Sequence, residues 1–214
     1  MKKTSLLLVL LTVGASAFAQ SNSQYEEAMK KNISILDTTE NLFALETVAN
    51  NFERIASVTK DQWLPYYYAS LARVRTAFMQ KDKSKIDPIV DQAKVLAEKA
   101  DALHPDNAEM LCLKSMLASA RIAVDPQTRG MQYGPEAGKL LQQAEQLSPG
   151  NPRVSLLLGQ NAFYTPAQWG GGKEKAKPLL GKALQEYSTF KPATDLSPNW
   201  GKGLAEYLLA QCSK

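Results

Sequence analysis

His104, the one histidine of the sequence, stands beside Pro105 with no second histidine, cysteine or acid at metal-ligand or acid–base spacing. A histidine so placed is expected to be a solvated turn residue. Cys/His zinc spacing is absent, and so is Gly-x-Ser-x-Gly. Gly170-Gly171-Gly172-Lys173 invites comparison with a phosphate loop. It lacks the first glycine at the required distance, carries Glu174 where Ser or Thr would meet magnesium, and follows a helix instead of a strand. The glycines are better read as a tight re-entry turn with positive φ angles, with an anion held at the start of the next helix as the weaker alternative. Glu26-Glu27, Asp87, Asp91 and Asp106 fall on separate elements, where solvation or helix capping accounts for them. No catalytic residue, cofactor site or metal site is nominated. A non-enzymatic chain is expected.

Residues 1–19 carry the pattern of a cleaved secretory leader: Lys2-Lys3, an apolar run from Leu6 to Val13, and Ala17-Phe18-Ala19 before Gln20. No cysteine follows the run to take a lipid. A periplasmic or secreted chain is expected, its formal charge falling from +4 to +2 as Lys2 and Lys3 leave. So mild a balance excludes a nucleic-acid binder, which would show a clustered basic face. No later apolar run approaches membrane-spanning length. In an exported chain Cys112 and Cys212 invite a disulfide. Among Met110, Leu111, Leu113 and Met116, a buried free thiol is as natural for Cys112, and both readings stay open.

The elements that position these residues are helices. The stretch Ala93-x₃-Ala97-x₂-Ala100-x₂-Leu103-x-Pro105 returns as Ala137-x₃-Leu141-x₂-Ala144-x₂-Leu147-x-Pro149. On a helix those positions form one apolar stripe, and the Pro with its Asp, Asn and Gly neighbours ends that helix and opens the next. Ala176, Leu180 and Ala183 occupy the same slots again, and Val48, Phe52 and Ile55 hold them loosely near the start. Helices are expected from Ser23 to about Asp37, over Leu42 to Val58, from Trp63, from Pro88, from about Ala108 to Val124, from Pro135, from Pro152 to about Tyr164, from Lys173, and from about Trp200 to Cys212. That last helix is expected to use Leu204, Tyr207 and Leu208. The segment Asp125–Gly134 reads as an unusually long loop inside a helical hairpin. No segment alternates with the period of a strand, so the fold class is all-α.

With a small residue on each first helix (Ser70, Ser115, Gly159) and the Leu-x-Pro-x-Asn turn, the pattern resembles the tetratricopeptide repeat. The match covers roughly Trp63 to Tyr187. The resemblance implies an α-solenoid of helical hairpins with long intra-hairpin loops and a C-terminal capping helix. Its units are a degenerate repeat over 23–58, repeats over 61–104, 106–148 and 150–187, and a cap over 198–212, within one domain from 20 to 214. Two residues depart from the family pattern: Lys114 occupies a slot usually apolar, and Ala97 is small where a larger residue is common. The Pro105-to-Pro149 spacing also exceeds the family period of about 34 residues, which the long loops are expected to explain.

The resemblance further implies a concave surface lined by the first helix of each pair. Carried onto this sequence, the candidate binding face is Tyr67, Leu71, Arg75, Met116, Arg153, Gln160, Phe163 and Tyr164, unless the cap covers it. Arg129, Tyr133, Trp169 and Lys173 form a second candidate surface on the loop edge. The first functional reading is an exported, non-enzymatic scaffold binding a protein or peptide, an acidic one by its two arginines. The alternative is a periplasmic solute-handling accessory, similar to transporter-associated tetratricopeptide-like proteins, that holds a small ligand near Tyr67 or Trp169.

Overall fold

The computed structural model describes residues 23–213; the expected leader lies outside them. Helix α1 spans residues 23–38. It is followed by α2 (Leu42–Val58), α3 (Trp63–Met79), α4 (Ile86–Leu103), α5 (Ala108–Ile122), α6 (Pro126–Leu147), α7 (Pro152–Tyr164), α8 (Lys173–Thr189) and α9 (Lys202–Cys212). Short 3₁₀ turns lie at Lys83–Lys85 and Ala167–Trp169. No strand occurs among the described residues.

Helices α3/α4, α5/α6 and α7/α8 pack as successive hairpins. The first helices form an inner row, α3 on α5, α5 on α7 and α7 on α9. The turns between units are built alike, as the repeated residues require. His104 N–H donates to the Ala100 carbonyl and Ser148 N–H to the Ala144 carbonyl. Asp106 and Gly150 then take the left-handed region, with φ of 54° and 79°, which Asp and Gly tolerate best. Asn107 and Asn151 cap the next helices by accepting from the Glu109 and Arg153 amides.

The small residues do what their spacing promised. Ala93, Ala137 and Ala176 are fully buried. Ser70 Oγ donates to the Ala93 carbonyl at 2.8 Å and Ser115 Oγ to the Ala137 carbonyl at 3.0 Å. A buried hydroxyl needs such a partner. In the third unit Gly159 brings α7 against α8 so closely that an added Cβ would meet Leu180 Cγ at 2.8 Å. Leu180 is itself 0% exposed and has nowhere to retreat. Gly159→Ala is expected to cost about 1–3 kcal/mol, read as a lower urea midpoint with an unchanged slope.

Two expectations are corrected. Asp125–Gly134 is not a loop: Asp125 caps α6 by accepting from the Thr128 amide, Pro126 fills the first turn, and the helix runs through Gly130, Gly134 and Pro135. Interior Gly and Pro weaken a helix by about 1 and 3 kcal/mol, but Arg129 here makes two hydrogen bonds of 2.8 Å to the Asp87 carboxylate on α4. The long spacing between units is therefore extra helix. In α9 the buried side chains are Ala205, Leu208 and Cys212, whereas Leu204 and Tyr207 are exposed; α9 meets α7 and α8 with the neighbouring face.

Both cysteines are free and buried. Burial pushes the Cys112 thiol well up, with the Glu109 carboxylate adding to it, so little reactive thiolate forms. Denatured protein is expected to yield two thiols per chain with a colorimetric thiol reagent, and native protein almost none within minutes.

Candidate functional site

The concave face is occupied by the chain itself. After α8, residues 190–201 cross the inner row as a strap with three buried anchors: Leu196, Pro198 and Trp200. Trp200 Nε1–H donates to Tyr67 Oη at 2.8 Å, Tyr187 Oη–H to the Trp200 carbonyl at 2.7 Å, and Tyr68 Oη–H to the Leu196 carbonyl at 2.8 Å. Lys30 on α1 pairs with Asp195 at 2.8 Å. Gly201 closes the strap at φ 107°, where a Cβ would strike the Tyr187 hydroxyl and Leu156. No other residue type fits there.

Beneath the strap lies a buried polar knot. The Arg153 guanidinium is 1% exposed and binds Glu109 through Nε and Nη2, both at 2.6 Å. Asn151 Nδ2 adds a third 2.6 Å contact to that carboxylate, and the Phe190 ring covers Arg153 with its centroid 4.5 Å away. Burial works against the arginine's charge, yet Glu109 outweighs it and raises its pKa. Burial, then Glu109, pushes the Tyr67 hydroxyl well above the ordinary phenol range.

The candidate binding face is thus corrected residue by residue. Tyr67, Leu71, Met116 and Arg153 do lie on the inner row, but all four are buried core; Tyr67 is bonded to Trp200 of the strap, and Arg153 is covered by its Phe190. Arg75 is tied to the Leu36 and Thr39 carbonyls at the end of α1, where a cation suits the helix dipole. Gln160 and Phe163 are partly buried, and only Tyr164 is open. Tyr164 stacks edge-on against Phe163. Its pKa is raised by partial burial and then by nearby Tyr207, an exposed aromatic patch at the end of the stack. The residues missed in sequence are Trp200 and Phe190, whose only signals were the Pro-Asn-Trp-Gly string and an unpatterned tail.

The loop-edge candidates divide between the first half of α6 and the α7–α8 connection. Arg129 is bonded to Asp87, and Tyr133 lies one turn further along α6. Trp169 and Lys173 are exposed on the α7–α8 connection, whose Gly170 and Gly172 take the expected positive φ. His104 is exposed against the Trp63 ring at 4.9 Å, a turn residue as expected.

An open cleft of about 400 Å³ lies between α4, α5 and α6. Val90, Ala97, Leu117, Ala118 and Leu140 supply its apolar lining, and Lys94, Lys114, Arg121, Glu98, Glu136 and Tyr133 its polar one. Ion pairs tie the helices around it: Lys114 to Asp101 at 2.7 Å, and Arg121 to Asp87 at 3.1 Å and Asp91 at 2.5 Å. The Arg129 hydrogen bond holds the Asp87 carboxyl below its ordinary range. Among the described residues no group of three or more His, Cys, Asp and Glu is placed to hold a metal ion. None of the described helices is long and apolar enough to cross a membrane.

Comparison with solved structures finds the HusA haemophore from Porphyromonas gingivalis, 37% identical over 88% of this chain and 92% of that one, with a TM-score of 0.78. The chain belongs to the family of this haemophore. A thermophilic tetratricopeptide-repeat protein from Thermus thermophilus superposes over 94% of this chain and 97% of its own at 16% identity and a TM-score of 0.52, a likeness of fold. The haemophore family therefore carries the tetratricopeptide-like architecture read from the repeats. No protein-family model matches the sequence, and no curated protein does.

Proposed function

We propose that this chain is an exported, non-enzymatic carrier that binds haem or a closely related porphyrin. The observation that carries this reading is the 37% identity, spread over nearly the whole of both chains, with a haemophore. Two features support it. The face on which a peptide would lie in a tetratricopeptide stack is taken up by residues 190–201, which weakens the scaffold reading. No catalytic constellation was nominated in the sequence, and the polar knot around Glu109 and Arg153 is sealed from solvent.

The test is titration of the purified chain with haemin and with iron-free protoporphyrin IX, following the Soret band and the quenching of its three tryptophans. Saturable binding with a Kd of about 1 μM or tighter, roughly −8 kcal/mol, is expected for haemin. Binding no stronger than to the urea-unfolded chain overturns the proposal. The second reading, a protein-binding scaffold, would then rest on the exposed Tyr164, Trp169 and Tyr207 in place of the concave face.

A further inference from the structure

The two halves of α6 are held differently. Beyond Pro135 the helix buries Ala137, Leu141 and Ala144, whereas from Pro126 to Glu136 it buries no side chain. The first half also works against its own conformation. Pro135 has no amide to give the Met131 carbonyl, and its ring crowds that carbonyl one turn back. Gly130 and Gly134 sit in a helix interior, where glycine has the most backbone freedom to lose. Packing does not ask for either of them. A Cβ at Gly130 or Gly134 would meet nothing within 4 Å, whereas one at Gly159 strikes Leu180. Neither glycine takes a positive φ. What the pair contributes to the segment is weakness.

One side chain on this half offsets that weakness. Arg129 makes two 2.8 Å hydrogen bonds to Asp87 on α4 and reaches the Arg121 carbonyl at the end of α5 at 3.4 Å. We propose that residues 126–134 are a hinged helical arm that opens as a unit about Gly134-Pro135 while the rest of the stack stays folded, with the Asp87–Arg129 pair as its latch. A segment with so little buried apolar surface opens at a far lower free energy than a packed core helix. So short a helix is also marginal in water once nothing holds it. Opening strands no charge, because Arg121 still pairs with Asp87 at 3.1 Å. It carries Tyr133 off the rim of the cleft between α4, α5 and α6, while Ala137, Leu141 and Ala144 keep the second half in place.

The test is amide hydrogen exchange of the native chain, read by NMR at Met131, Gln132 and Tyr133 in the arm and at Leu113, Met116 and Leu117 in α5. The arm amides are expected to be at least about a hundredfold less protected than those of α5. Their exchange is expected to change little with urea below the unfolding transition, because a local opening exposes little surface. Gly130→Ala/Gly134→Ala is expected to raise arm protection by about tenfold or more, and Arg129→Gln to lower it by about fivefold. Should Arg129→Gln lose its helical circular dichroism, Asp87→Asn reads the latch from the other side. Arm amides as protected as those of α5, with the same urea dependence, would show that the segment opens only when the whole chain unfolds and overturn the proposal. Unchanged protection in the alanine variant overturns it as well, and unchanged protection in Arg129→Gln overturns the latch.

Discussion

Replacing Arg153 with Met is expected to destabilise the protein by about 3–5 kcal/mol. The guanidinium is 1% exposed and its partner Glu109 only 8%, so the mutation strands a carboxylate in the core with the Asn151 amide as its remaining side-chain donor. For a chain of this length the loss lowers Tm by roughly 6–20 °C. The pair itself is a weaker stabiliser than that number suggests, because both charges were taken out of water to make it. Arg153 Nη1 even lacks a hydrogen-bond partner. Joint replacement, Glu109→Leu with Arg153→Met, is therefore expected to recover most of the loss. Urea unfolding of the two singles and the double measures the coupling. A single-variant loss below about 1 kcal/mol, the value of an exposed pair, would show that water reaches the knot.

Trp200→Ala is expected to cost about 3–5 kcal/mol and to free the strap. The indole is 8% exposed and holds the Tyr67 hydroxyl through its N–H, while the backbone on either side is fixed by Tyr68 and Tyr187. Trp200→Phe keeps most of the buried area but leaves the Tyr67 oxygen without its donor, for about 1–3 kcal/mol. Asp195 lies exposed in the middle of the strap, so an endoprotease that cuts before aspartate reports its release. Cleavage there is expected to accelerate strongly in Trp200→Ala and modestly in Trp200→Phe. Equal cleavage rates in all three proteins would mean that the strap is not held by this anchor.

The stack itself could be read from residue spacing because its physics is local and repeated. Ala93, Ala137 and Ala176 mark the helix faces that meet a small partner, and Asn107 and Asn151 mark helix starts by a cap that a single residue supplies. Helix α6 was half legible. Gly130, Gly134 and Pro135 disfavour helix by propensity, and what overrides them is an Asp87–Arg129 bond across 42 residues, which no local window contains. The candidate groove failed for a related reason. The repeat register placed Tyr67 and Arg153 correctly on the inner row, but their burial depends on Leu196 and Trp200 in a tail with no periodicity. Ala97 and Lys114 stood out as breaks in the pattern, yet only the helical start of α6 shows that they share a cleft with Tyr133.

The strap closes the concave face through the Trp200, Tyr67, Tyr68 and Tyr187 hydrogen bonds, and a carrier built this way takes its ligand without releasing that strap. Amide and indole chemical shifts of the ¹⁵N-labelled chain, followed during titration with iron-free protoporphyrin IX, decide this most directly. Saturable shifts on one contiguous set of residues, with the Trp200 indole signal unmoved, are the predicted result. Movement of the Trp200 indole and of residues 190–201 on binding would contradict it.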